Sequence, residues 1–208
     1  MHSILEQYLL EMMQKEEVVP YYLSRFKTAV GRPPSPGIFK TYFEQGYDYL
    51  STIDFPHKNI LGVERKVSFK IDDIPFVGIV DYEADDGEIL LLGDHKSRTL
   101  KQRSERKKPT KSDLELDEYF KQLYTYCIPF YEKHGRYPDI LEFNCFRAKQ
   151  VIAEPFNLDK LKETEDWAKS TIEKITNNDD WSPKIDFWKC RYICDQHENC
   201  EYYQMSRR

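Results

Sequence analysis

A mixed α/β fold, a sheet layered with helices, is what this chain of 208 residues predicts. Three observations carry the prediction. Apolar residues recur at helical spacing in the opening quarter, three extended segments separated by turn signals follow, and a long capped helix then leads into another strand. The composition suits one such domain: 40% hydrophobic and 32% charged residues, with a formal net charge of -5. A chain of this size buries roughly 70% of its unfolded surface, so its core needs no staples and a disulfide scaffold is not expected. No apolar run approaches the ~18 to 20 residues that span a bilayer, and Met1 opens a polar-studded helix instead of a signal peptide. A cytoplasmic protein without a membrane partner is expected. Five cysteines, three of them within the last 19 residues, point to a metal or cluster site in a reducing compartment.

Ile4, Leu5, Tyr8, Leu9, Met12 and Met13 predict an amphipathic helix from Met1 to about Glu16. A second helix is expected from Tyr21 to Val30. Gly31, Pro33, Pro34, Pro36 and Gly37 then break the chain before a third, around Ile38 to Leu50. Ile60 to Ile71, Pro75 to Glu83 and Glu88 to His95 read as strands, the last two joined by a hairpin turn at Ala84-Asp85-Asp86-Gly87. Ser112 and Glu115 form a capping box for a long helix whose apolar face holds Leu116, Tyr119, Phe120, Leu123, Cys127 and Ile128. Pro129 is expected to kink this helix and Gly135 to end it. Ile140 to Phe146 and Val151 to Phe156 read as strands, and Leu158 to Ile175 as a further helix. The tail from Asn177 predicts irregular structure, and no internal repeat is present.

The chemistry-bearing residues sit on the second and third predicted strands: Gly78-Ile79-Val80-Asp81, then Asp94-His95-Lys96. Alternate side chains of a strand share a face, so Asp94 and Lys96 point together while His95 turns only its backbone carbonyl to that side. A hairpin brings Asp81 alongside. Two carboxylates and a carbonyl make a hard oxygen site suited to Mg²⁺ or Mn²⁺, and an ammonium beside it can orient or deprotonate a water. Acid-x-Lys triplets occur three times in the chain, at Glu64, Asp94 and Glu105, so the triplet alone is unspecific. What singles out Asp94-His95-Lys96 is that it closes the hydrophobic run Ile89 to Gly93. A solvated charge cluster at a strand end is the alternative.

Gly-x-x-Asp, Asp-x-Lys and then Gln122-Leu-Tyr-Thr-Tyr126 on the following helix resemble the PD-(D/E)XK nucleases of the RecB-like and AddB-like kind, which include the CRISPR-adaptation nucleases and their phage relatives. The resemblance implies a restriction-endonuclease-like αβββαβ core at 59–176, preceded by a helical part at 1–58 and followed by a Cys-rich tail at 177–208, all in one domain. It implies that Asp81 and Asp94 bind metal, that Lys96 is catalytic, and that Gln122 and Tyr126 lie beside the active site and help hold DNA. Gln122 and Tyr126 are four residues apart and share a helix face. Family members also carry Gly-x-x-x-His on an upstream helix, and Met1-His2-Ser3-Ile4-Leu5-Glu6 looks like the second half of that motif. His2 is then a metal ligand, with Glu6 one turn on, and the glycine would precede Met1. Glu64 corresponds to an acid that accompanies the site in relatives.

Cys190, Cys194 and Cys200 resemble the last three cysteines of an iron-sulfur staple in this subfamily, whose fourth ligand is missing here. Either the chain is a shortened form of a 4Fe-4S protein, or His197 completes a Cys3His Zn²⁺ site, or the thiols stay uncoordinated. Cys127 and Cys145 read as buried small hydrophobes.

From Lys96 to Lys111 eight basic residues face one acid, a charge of +7 over 16 positions, which would draw in phosphates whether or not the loop is mobile. Tyr119, Tyr124, Tyr126, Phe130 and Tyr131 could stack on unpaired bases or pack into the core. The resulting expectation is a Mg²⁺- or Mn²⁺-dependent deoxyribonuclease, an exonuclease on single-stranded ends, in DNA recombination, repair or phage DNA processing. A DNA-binding or regulatory module that keeps the fold without turnover, and a zinc-stapled interaction protein, are the alternatives. Acidic surface elsewhere could recruit a helicase or recombinase, though no residue argues for one.

Overall fold

The structure is a computed structural model that describes residues 1–29, 36–57, 59–179 and 181–206. Gly31, Pro33 and Pro34, and the expected helix end at Val30, lie outside the described residues.

Three helices open the chain: α1 (His2–Leu9), α2 (Lys15–Ala29) and α3 (Pro36–Ser51). The single helix expected over the first 16 residues is two. α1 ends at Leu9, and Glu11 in the left-handed region (φ 56°) turns the chain. Met13, read as part of the helical stripe, instead plugs the core between α1 and α2. The Gln14 amide donates to the Glu17 carboxylate at 2.8 Å, which starts α2 afresh. Pro36 and Gly37, read as breakers, form the first turn of α3, where a proline's missing N–H costs nothing.

The sheet has five strands in the order β1 (Ile60–Ile71), β2 (Ile74–Asp85), β3 (Leu90–His95), β4 (Ile140–Cys145), β5 (Gln150–Pro155). Neighbours pair antiparallel except β3 and β4, which are parallel. A parallel pair needs a crossover, supplied by α4 (Lys111–His134). β3 is sheathed on both faces, which explains its unbroken run of leucines. The β2–β3 turn lies two residues later than expected: β2 runs through Asp85, the Asp86 amide donates to the Ile89 carbonyl at 3.0 Å, and Gly87 takes φ 94°.

α4 starts at Thr110, not at Ser112. The Thr110 hydroxyl accepts from the Asp113 amide, and the Asp113 carboxylate accepts from the Thr110 amide, the Thr110 hydroxyl and Ser104. The box closes on the pair that can also tie down the preceding loop. The helix runs unbroken through Pro129 and ends at left-handed Gly135. A single 3-10 turn (Phe146–Ala148) links β4 to β5, and α5 (Leu158–Thr176) packs on α4. In the tail, short helices α6 (Phe187–Tyr192) and α7 (Glu201–Ser206) form where irregular structure is expected.

Val80, Leu92, Leu123 and Phe143 belong to the main core between the sheet and α4 and α5. The opening helices close a second core around Leu5, Val18 and Leu50, into which Phe146 reaches. Among the described residues no helix is long and apolar enough to cross a membrane.

Candidate active site

β2 and β3 pair from Asp85 and Leu90 to Tyr82 and Gly93, then part. The Asp81 carboxylate fills the gap, its Oδ2 accepting from the His95 amide at 2.7 Å. At the end of β3, Asp94 and Lys96, the residue just beyond the strand, share a face as expected, with Lys96 Nζ 2.8 Å from Asp94 Oδ2. Gln122 of α4 closes the triangle: its Nε2 donates to Asp94 Oδ1 at 2.9 Å and its Oε1 accepts from Lys96 Nζ at 2.8 Å. A side-chain amide carries both a donor and an acceptor, so it can hydrogen-bond a carboxylate and an ammonium at once.

Tyr126, one turn beyond Gln122, lies on the β2 backbone. A Cβ at Gly78 would sit 2.6 Å from its Cε1, so the glycine of Gly-x-x-Asp is required by the tyrosine. The two motifs are thus in contact. Tyr126 touches the site through β2; its hydroxyl has no hydrogen bond among the described residues.

Glu64 lies opposite Asp81 in the β1–β2 register, between the pairs Val63–Tyr82 and Arg65–Val80. It holds φ 46°, a conformation a non-glycine residue adopts at a cost. Gly78 and Glu83, five apart on β2, both meet α4, so the strand's alternation changes phase across Asp81. His2 at the start of α1 brings Nδ1 within 3.5 Å of Asp81 Oδ2 and 3.8 Å of Glu64 Oε1. One ligand atom each from His2, Glu64 and Asp81 lie within 4.8 Å of one another, the one such triad of metal-ligating side chains among the described residues.

Asp94 and Glu6 are outside that triad. Asp81 thus stands with Glu64 and His2, while Asp94 is buried (3% exposed) and engaged by Lys96 and Gln122. Asp94 Oδ2 faces the Lys96 ammonium, while Oδ1 accepts from Gln122. His95 reaches the site through its N–H. Its ring is buried against Tyr82, 4.8 Å between centroids, with Nδ1 3.1 Å from Asn144 Nδ2. Burial drives the His95 ring down to a pKa of about 3, so it is neutral.

Burial, and then the charge of Asp94, push Asp81 up to about 7, against the lowering pull of the His95 amide. Burial also raises Asp94, although Lys96 opposes it, and lowers His2, which favours the neutral ring that can ligate. Three carboxylates thus face one lysine, a surplus of negative charge that a divalent cation would neutralise. The donor set, one imidazole and two carboxylates with a third nearby, fits Mn²⁺ and Mg²⁺, the nitrogen favouring the former.

The cysteine tail does not assemble in the same way. In a tetrahedral Zn²⁺ site the sulfurs stand about 3.8 Å apart. Cys190, Cys194, Cys200 and His197 form no group of three ligand atoms within 4.8 Å. The His197 Nδ1 instead lies 2.8 Å from the Cys194 carbonyl. A Cys3His zinc site does not fit this arrangement. Cys127 and Cys145 are buried in the main core and cannot supply a fourth cluster ligand.

Of the basic run, Arg98 pairs with Glu115 and Arg103 with Asp117 and Glu154, while Lys101, Arg106, Lys107, Lys108 and Lys111 have no ion pair among the described residues. Tyr124 and Phe130 are core residues, and Tyr131 packs on Tyr137, 4.6 Å between centroids. Tyr119 accepts from Arg98 at 2.9 Å, beside the Lys96 ammonium.

Sequence reasoning missed a buried polar layer behind the site. His57 bridges Asp86 at 2.6 Å and Glu142 at 3.0 Å, and Tyr82 donates to Glu142 at 2.7 Å. His57 lies in the α3–β1 connection and Glu142 in a hydrophobic strand; no local pattern joins them.

No protein-family model and no curated protein matches the chain.

Proposed function

We propose that this site hydrolyses phosphodiester bonds of DNA with Mn²⁺ or Mg²⁺, as an exonuclease acting on single-stranded ends. One observation carries the reading: a His2–Glu64–Asp81 triad stands beside a lysine whose ammonium is fixed by a buried carboxylate and an amide. A bound cation would supply positive charge to phosphate oxygens and a more acidic water.

His2, Glu64 and Asp81 would hold that cation. The Asp81 carboxylate, anchored by the His95 amide, is aimed by the parting of β2 and β3. Lys96 Nζ, held by Asp94 and Gln122, is positioned to orient a water and to exchange a proton with it, and its charge would oppose the charge that builds on the phosphate. Gln122 keeps Lys96 and Asp94 in register. Tyr126 fixes the β2 backbone three residues before Asp81. The unpaired cations of the loop after Lys96 add sequence-independent attraction for the phosphate backbone.

Digestion of end-labelled single-stranded DNA tests the reading. Mn²⁺-dependent release of nucleotides is expected from the native chain, and Lys96→Ala should lose about 100-fold or more while remaining folded. Cleavage that persists in Lys96→Ala, or a native chain that binds DNA without cutting it, contradicts the proposal; the latter is the behaviour of a binding module.

A further inference from the structure

A cavity of about 870 Å³ lies between the opening helices and the turn after β4, and His2 lines it as well as the candidate metal triad. It is within the size range of small-ligand sites. Among the described residues its lining contains no aspartate or glutamate, although the chain has 36 of them, and two arginines, Arg25 and Arg147, flank it. The Arg147 guanidinium stands 4.1 Å over the Tyr42 ring centroid, and its Nε donates to Gln45 Oε1 at 2.7 Å, so the pair forms a fixed plate. Tyr42 is 43% exposed. Arg25 lies 5.8 Å from the Tyr21 ring centroid and makes a second, looser plate. Ser97, the first residue of the basic loop beyond Lys96, is on the rim.

An acid-free, arginine-flanked cavity that adjoins a carboxylate cluster through one histidine suits an extended polyanion. Its reacting phosphate would sit at the cluster and its neighbouring units in the cavity. Flat rings paired with guanidinium groups suit bases, and only unpaired bases expose a face. We propose that the cavity holds the unpaired nucleotides next to the scissile phosphate, one base on the Tyr42–Arg147 plate and the adjoining backbone beside Arg25. This rests on the phosphodiesterase reading and adds to it the place where unpaired nucleotides are held and the residues that hold them.

The test is fluorescence anisotropy in EDTA with a labelled oligothymidylate of about 12 nucleotides, within the usual footprint of such sites, and with a blunt hairpin of similar length. The single strand should bind more tightly than the hairpin. Tyr42→Leu and Arg147→Ala should each weaken single-strand binding about 5- to 100-fold. Tyr42→Phe, which keeps the ring, should bind like the native chain, and so should Lys169→Ala, which removes a cation paired with Asp72 on α5. Equal affinity for strand and hairpin, unchanged binding by Tyr42→Leu and Arg147→Ala, or a loss in Tyr42→Phe as large as in Tyr42→Leu overturns the inference. Mn²⁺-dependent cleavage by the native chain, measured alongside, reports separately on the reading beneath it: cutting with variant-insensitive binding sinks the cavity alone, and Tyr42-dependent binding without cutting sinks the phosphodiesterase.

Discussion

Asp81 concentrates the conflict between stability and chemistry. Its carboxylate is half-buried beside Asp94, and its folded pKa is pushed up to about 7 from a value near 4 in the unfolded chain. The folded state therefore binds more protons than the unfolded state between those values, and stability falls as pH rises through that window. Asp81→Asn keeps an acceptor for the His95 amide and removes the charge, so without metal at neutral pH it should stabilise the fold by about 1–3 kcal/mol. The same variant should be inactive. Chemical denaturation in EDTA checks the first outcome and nucleotide release the second; a destabilised Asp81→Asn would mean that the carboxylate is already neutralised within the protein. Gly78 makes a related point without charge. Gly78→Ala should displace Tyr126 and destabilise by about 1–3 kcal/mol, because a methyl group 2.6 Å from a ring carbon has nowhere to go. A paired Gly78→Ala, Tyr126→Ala variant should recover most of that loss.

Asp81, Asp94 and Lys96 were legible in the sequence because strand alternation places side chains by rule; Gln122 was legible only through the family resemblance. Glu64 was legible only as an accompanying acid. What brings it to Asp81 is a left-handed residue in mid-strand, and no composition or period encodes that. Met13 and the end of α1 were misread for a similar reason: an apolar residue just past a turn keeps the helical spacing.

At the scale of elements, the start of α4 separates pattern from structure. Ser112 and Glu115 match the capping sequence, yet Thr110 and Asp113 form the cap, since Asp113 also accepts from Ser104 and thereby moors the basic loop. These hydrogen bonds hold the Asp113 carboxylate well below the usual range. Thr110→Ala should cost about 1 kcal/mol and Ser112→Ala close to nothing, as read by thermal unfolding. The reverse order would restore the sequence reading. Gln122 sits in the fourth turn of the same helix, so the cap, the loop and the hold on Lys96 belong to one rigid element. The order of elements along the chain was legible from periodicity and turn signals, whereas the parallel pairing of β3 with β4, which α4 bridges, has no signature in the strands themselves.

Across the whole molecule, the buried layer around His57 joins the α3–β1 connection to the sheet. Burial disfavours charge on His57, but hydrogen bonds from its ring to Glu142 and Asp86 outweigh it and raise its pKa. A raised histidine contributes stability that is complete below its unfolded pKa near 6.5 and is lost as pH climbs through the folded value. The difference in unfolding free energy between the native chain and His57→Gln should therefore shrink from pH 6 toward pH 9. A constant difference would show that His57 is neutral in the folded protein. This layer explains what the chain keeps fixed behind the site: three opening helices set His2, the sheet sets Asp81 and Glu64, and the two are tied together through the connection that carries His57.

Isothermal titration of the native chain with Mn²⁺, beside Asp81→Asn, Glu64→Gln and Lys96→Ala, bears most directly on the triad. The account predicts one Mn²⁺ site in the native protein, at least about tenfold weaker binding in Asp81→Asn and in Glu64→Gln, and near-native binding by Lys96→Ala. Native affinity in Asp81→Asn, or no Mn²⁺ bound by the native chain, would contradict it.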